Sequence, residues 1–377
     1  MHDTGKVNLK TAHIAAAVLL ASALPACRRV DEGPPPVGQE PHCGSLAHRV
    51  STLRAQGGRV DWSRANGLIA YDRLGDDGVY FDVYVRSLDG SRDTCLTCGK
   101  GGLVPQRNNG NPAWHPSGNY IVFQSEVADS RVTPFQSNPG RGVNNVLWVT
   151  DPTGRDFTQL TELSTSDPVS GVLHPHFSND GNQLSWSELR EGLLQSGTIS
   201  GLWRLVVADF VVSGGRPGVR NIRKYEPGDP GFYENHGFSP AGGRLIFSSN
   251  MAQPGPLQSV NNDIFAMDLA SLTVSRLTSD SYNEHAGYFP DGRKMLWMSN
   301  RDIANRGTDL WIMNSDGSGK ERLTFLNQSG CPESSANRSV AADNTINAAG
   351  DKILVYVQDD LFGDVGSIML VELDRSP

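Results

Sequence analysis

The feature that most limits what this chain can become is one unit that returns six times. Its clearest copy covers residues 283–325: an alternating apolar stretch, a Pro290-Asp291-Gly292 turn, a strand over Lys294–Ser299, a polar loop, a strand over Asp309–Asn314, a second turn at 315–319 and a closing Arg322-Leu323-Thr324. Period-two alternation sends successive side chains to opposite faces, and Asp-Gly steps suit tight reversals between strands. The product is a four-stranded antiparallel sheet with two faces to bury. A sheet of that kind is stable only when its neighbours stack on it.

Five further copies carry the same landmarks. The first places Trp62-Ser63 before Asn66-Gly67 and ends at Leu96-Thr97; the second runs through Trp114-His115-Pro116-Ser117-Gly118 to Leu160-Thr161. The third has Phe177-Ser178-Asn179-Asp180-Gly181 and the least regular final strand. The fourth has Phe238-Ser239-Pro240-Ala241-Gly242 and Leu277-Thr278, and the sixth Asn347 to Asp351. From Gly118 through Gly181, Gly242 and Gly292 to Gly350 the intervals are 63, 61, 50 and 58 residues, so the loops vary while the strands persist. These lengths predict an all-β fold over residues 46–377: a six-bladed β-propeller of four-stranded antiparallel blades. The sixth copy supplies three strands. Residues 47–53 (AHRVSTL) are therefore expected to add the fourth and close the ring, because an unpaired edge invites aggregation.

Tyr288-Phe289-Pro290-Asp291-Gly292 and Leu310-Trp311-Ile312-Met313-Asn314-Ser315-Asp316-Gly317 resemble the PD40, or WD40-like, repeat of the TolB-type propeller family. The resemblance spans about residues 46–374 and implies the propeller fold. It does not extend to TolB itself, whose additional domain before the propeller has only a short linker as its counterpart here. An activity does not follow from the repeat.

The 41 glycines and 22 prolines suit a chain made of short strands and turns. A formal net charge of −8 with no basic stripe argues against a nucleic-acid groove, which needs clustered Lys and Arg. The amino terminus reads as an address. Lys6 and Lys10 precede an apolar run over residues 14–24, too short for a membrane span, and Leu24-Pro25-Ala26-Cys27 resembles a lipobox. Residues 1–26 are thus expected to be a lipoprotein signal peptide, Cys27 the lipidated residue, and 27–45 a Pro-rich linker. The protein would be periplasmic or at the cell surface, touching the membrane only through that anchor. The outer membrane is the expected destination, since Arg28 and not Asp follows the cysteine. The alternative is ordinary cleavage after Ala23, leaving Cys27 an incidental thiol.

Strand parity puts all the insertions on one face. The long stretches 124–144, 188–201 and 250–262 join second to third strands, and 327–343 joins one blade to the next. The innermost strands begin on that same face, carrying Asn111, His174, His176, Glu234, Asn235, His236, Glu284 and His285. Asn111, His174, Asn235 and His285 occupy one equivalent position and should ring the channel mouth. Two roles suit them: binding a ligand or a divalent metal, with His174, His236 and His285 as ligands, or pinning neighbouring blades through hydrogen bonds. A metal is the only cofactor these residues suggest, and no tight ligand motif assures it. Trp148, Trp203, Phe265 and Trp311 match one another in the third strands and read as inter-blade core, and His115 as a turn residue.

Four cysteines follow Cys27. Cys95-Leu96-Thr97-Cys98 brackets the end of the first copy and reads as a local disulfide, which leaves Cys43 with Cys331. That second pair conflicts with a closing strand over 47–53, which would start Cys43 on the opposite face from Cys331.

The leading functional expectation is a non-enzymatic, lipid-anchored binding or scaffold module for a protein or cell-envelope ligand. The alternative is a metal-assisted lyase or hydrolase acting on a saccharide at the channel mouth, as the resemblance to oligogalacturonate lyases implies, with Glu234 or Glu284 assisting the histidines. A propeller-capped serine peptidase is disfavoured by the missing Gly-x-Ser-x-Gly elbow.

Overall fold

The computed structural model describes residues 43–377 apart from 45, 165–168, 193–195, 199, 255–260, 304–306, 360–364 and 375–376. The expected signal peptide, Cys27 and most of the linker lie outside the described residues. The described strands form six four-stranded antiparallel sheets, five of them simple meanders. We call the strands of each blade a to d from the channel outward. Strands a are Val60–Trp62, Asn109–Trp114, Gly171–Phe177, Tyr233–Phe238, Asn283–Tyr288 and Val340–Ile346. In blade six the outer strand is Ala47–Gly57, paired antiparallel with Gly366–Leu373, so the first described strand lies beside the last.

Burial comes from stacked blade faces. Ile246, Ile264 and Ala266 of blade four pack on Tyr288, Trp297 and Trp311 of blade five, and Trp297 is fully enclosed. Trp203 and Phe265 share one such interface and Trp148 flanks another, so these rings are core.

The recurring Leu-Thr has a local cause. Leu96, Leu277 and Leu323 are buried, and each following threonine accepts a backbone N–H of strand c while donating to an aspartate at its start. Thr324 Oγ1 accepts from Leu310 N–H at 2.9 Å and donates to Asp309 at 2.9 Å; Thr278 does the same with Ile264 and Asp263, and Thr97 with Val83 and Asp82. Strand d thereby stays attached after only two or three residues of pairing.

Blade three ends on a strand unlike its counterparts: Arg216–Tyr225 runs ten residues against a twelve-residue strand c, Leu202–Ser213, with a register shift between Val207 and Asp209. Gly214 and Gly215, at φ of 57° and 81°, make the tight reversal that lets this hairpin run on.

Cys43 is disulfide-bonded to Cys331, and Cys95 to Cys98. The Cys43 bond and the Ala47–Gly57 strand coexist. Gly44, at φ 64°, lies where a Cβ would meet the Phe325 ring, so the chain before the strand runs against the loop that carries Cys331.

Candidate functional site

Strands a are interrupted where they line the channel. Pairing with strand b slips between Gly110 and Ala113, Leu173 and His176, Asn235 and Phe238, Glu284 and Gly287, and Ala341 and Asn344. These are β-bulges, which re-aim side chains and recur beside functional sites. Asn111, His174 and His285 take φ values of 51°, 50° and 49°, in a left-handed region that costs any residue other than glycine some backbone strain.

In blades three, four, five and six the bulges bring one cluster together. His174 Nε2 lies 2.7 Å from Glu234 Oε1, and its Nδ1 lies 3.3 Å from Asp343 Oδ1. The same Asp343 oxygen is 3.5 Å from His285 Nδ1, while His285 Nε2 is 3.7 Å from Glu284. His236 completes the group, its ring 6.2 Å from that of His174 and 5.6 Å from that of His285. Its Nε2 accepts the His285 backbone N–H at 3.2 Å and also hydrogen-bonds the Ser248 hydroxyl.

Burial works against every charge here, and the neighbours decide which survive. Burial alone would lower His174, but the Glu234 carboxylate and the Asp343 hydrogen bond outweigh it and raise the imidazole to about 10. Burial would raise Glu234, yet the charge and hydrogen bond of His174 bring it down to about 2. Asp343 is held well below the usual carboxylate range by His285 and His174 despite its burial. Glu284 goes the other way. Burial and the nearby Glu234 charge push it well above its ordinary value, and it is held by hydrogen bonds from Tyr282 and Asn262. Burial also lowers His236 well below its usual value and His176 to about 4.

The structure thus divides the residues singled out from sequence. His174, His236, His285, Glu234 and Glu284 converge. His176 is half-buried beside them, and its ring shares no hydrogen bond with the cluster. Asn235 does not offer its side chain to the channel: its Nδ2 donates to the His174 carbonyl at 2.7 Å, so it pins blade four to blade three. Asn111 belongs to the opposite side of the ring, where its N–H donates to Asp72 at 2.8 Å.

Two members were missed. Arg59 and Asp343 stand three residues before Trp62 and Ile346, the spacing that separates His174 from Phe177 and His285 from Tyr288. That spacing was the signal. Arg59 is buried and paired with Asp72 at 3.4 Å.

The donor set suits a divalent metal. His174, Glu234 and His285 each offer a ligand atom, and the three atoms lie within 4.8 Å of one another. Two imidazoles and a carboxylate are donors that zinc, manganese and nickel accept. Glu234 Oε2 is buried and has no hydrogen-bond partner among the described residues, which leaves it able to act as a ligand.

No family model and no curated protein matches this chain. Solved structures do. An oligogalacturonate lyase in complex with manganese shares 15% identity over 90% of this chain and 96% of its own, with a TM-score of 0.52. An oligogalacturonate lyase from Vibrio parahaemolyticus gives 12% identity over 87% and 96%, TM-score 0.49. A protein described as TolB from Agrobacterium tumefaciens gives 17% over 76% and 88%, TM-score 0.45. Similarity at this level establishes the propeller fold and nothing finer.

Proposed function

We propose that this chain is an exported binding module of the cell envelope whose channel mouth holds a divalent cation. Through that cation it engages an acidic group of a protein or envelope ligand. The reading is carried by His174, Glu234 and His285, which bring three ligand atoms together in a buried setting with one carboxylate oxygen unpartnered. A bound cation would supply the positive charge that attracts and polarises a ligand oxygen. Asp343 holds both imidazoles from their Nδ1 sides. Export and lipid anchoring rest on the amino-terminal sequence. No helix among the described residues is long and apolar enough to cross a membrane.

One observation favours a second reading, a metal-assisted lyase or hydrolase acting on a saccharide. Glu284 lies 3.7 Å from His285, and burial with the nearby Glu234 charge raises it well above its ordinary value despite hydrogen bonds from Tyr282 and Asn262, the direction a proton donor needs. The similarly folded oligogalacturonate lyase is described in complex with manganese, which makes manganese the first metal to offer here.

The test is elemental analysis of the purified protein after exposure to manganese, zinc and nickel, beside a His174→Ala, His285→Ala double variant. One equivalent of metal that is lost in the variant is the expected outcome. A metal-free protein, with a variant that only melts earlier, would refute the site and leave the histidines as pins between blades. Turnover of acidic oligosaccharides by the loaded protein, abolished in Glu284→Gln, would move the reading from binding to catalysis.

A further inference from the structure

Far from the channel, on the outer rim of blade one, the Cys95–Cys98 disulfide sits in surroundings that a simple staple does not need. Blades four and five make the same closure with Leu277-Thr278 and Leu323-Thr324, where Arg276 and Ser279, or Arg322 and Phe325, stand in place of the two cysteines. In blade one, too, the closure has its own anchors. Leu96 is fully buried, and Thr97 donates to Asp82 at 2.6 Å and accepts from Val83 N–H at 3.1 Å. The cross-link adds little to a turn already held in this way.

Both sulfurs, moreover, have a donor aimed at them. The Cys98 backbone N–H lies 3.0 Å from Cys95 Sγ. The Tyr84 hydroxyl lies 3.4 Å from Cys98 Sγ and must donate to it, since a disulfide sulfur has no hydrogen. That hydroxyl in turn accepts from Arg73 Nη2 at 2.7 Å, and the Arg73 guanidinium lies over the Tyr84 ring at 4.6 Å. Disulfide sulfur accepts hydrogen bonds weakly, whereas thiolate accepts them strongly, so these donors favour the opened state. Asp82 opposes it with a carboxyl within 4.8 Å of both sulfurs; burial raises that carboxyl above its ordinary value and so weakens the opposition, although the Thr97 hydrogen bond works the other way. Cys98 is exposed and Cys95 half-buried, so an attacking group reaches Cys98 first.

We propose that Cys95 and Cys98 form a thiol–disulfide exchange site for thiol-bearing molecules that meet blade one. An incoming thiolate attacks Cys98 Sγ. A bond forms between the two sulfurs, the Cys95–Cys98 bond breaks, and the electron pair leaves on Cys95, where the Cys98 N–H receives it. A second thiolate then attacks the incoming sulfur of the mixed disulfide and releases Cys98 as a thiolate facing the Tyr84 hydroxyl. Two thiols are oxidised to one disulfide while the Cys95–Cys98 pair is reduced to a dithiol, and the reverse sequence reduces a partner's disulfide. The Leu96 and Thr97 anchors keep the rim of the blade unchanged in both states.

The Cys43–Cys331 disulfide of the same chain is the internal standard, with Cys331 buried at 6% exposure. The purified protein is placed in glutathione buffers of stepped redox ratio, quenched by alkylation at successive times and read by mass spectrometry at both pairs. We expect Cys95–Cys98 to open about ten times faster than Cys43–Cys331, a Cys95→Ser variant to retain glutathione on Cys98, and Tyr84→Phe to slow exchange about fivefold, as loss of one hydrogen bond to sulfur implies. Arg73→Gln, on a partly exposed side chain, should slow it in the same direction should Tyr84→Phe fold poorly. Equal opening of the two pairs, no adduct on Cys98, or unchanged exchange in both Tyr84→Phe and Arg73→Gln would overturn the proposal.

Discussion

Asp343 touches the Nδ1 atoms of two imidazoles with one oxygen, at 3.3 and 3.5 Å, and this is the contact on which the candidate metal site turns. A carboxylate on the far ring nitrogen fixes the tautomer and orientation of a metal-ligating histidine. Asp343→Asn keeps the shape and removes the charge. It should weaken metal affinity by about 10- to 100-fold, measured by competition with a chelator, while leaving the stoichiometry at one. An unchanged affinity would mean that Asp343 only neutralises His174. Sequence reading reached His174, Glu234, His236 and His285 because imidazoles and carboxylates at strand starts are conspicuous. It overlooked Asp343, which ends the 327–343 insertion and looks like loop until the bulge between Ala341 and Asn344 carries it into the channel. Asn235 takes the other of the two roles open to it from sequence, its side chain turning to a backbone carbonyl of the neighbouring blade.

At the scale of the element, the decisive unit is the link between strand c and strand d. Asp309 is fully buried and accepts from Thr324 Oγ1 at 2.9 Å, from Arg322 at 2.7 Å and from Leu326 N–H at 2.8 Å. Removing it takes an acceptor from these three donors and from Asn327 Nδ2, and one of the four is an Arg322 that is only 11% exposed. Asp309→Ala should therefore cost about 3–5 kcal/mol in urea unfolding, in line with breaking a buried ion pair from one side. A loss under ~1 kcal/mol would show that pairing alone holds strand d. The Leu-Thr part of this device was plain in the sequence through its recurrence. The aspartate was not marked, because the acceptor lies 15 residues before its threonine and blade two has Val146 at that place.

For the whole molecule the question is what holds the ring shut. Ala47–Gly57 completes blade six, and Cys43–Cys331 ties the chain just before it to the loop between blades five and six, across 288 residues of sequence. A cross-link over so long a loop restrains the unfolded chain most, so Cys43→Ser should lower the unfolding free energy by about 2–5 kcal/mol. Denaturant titration of the variant beside the reduced parent checks this, and coincident curves for variant and oxidised parent would contradict it. Blade count and blade order were determined by the sequence alone, because alternation and turn residues are local signals repeated six times and Leu-Thr endings recur in four of the units. Which polar side chains meet in the channel was decided only by the tertiary structure. Convergence there depends on bulges that rotate single residues inward and on four blades contributing one or two groups each, and neither property leaves a contiguous pattern in the chain.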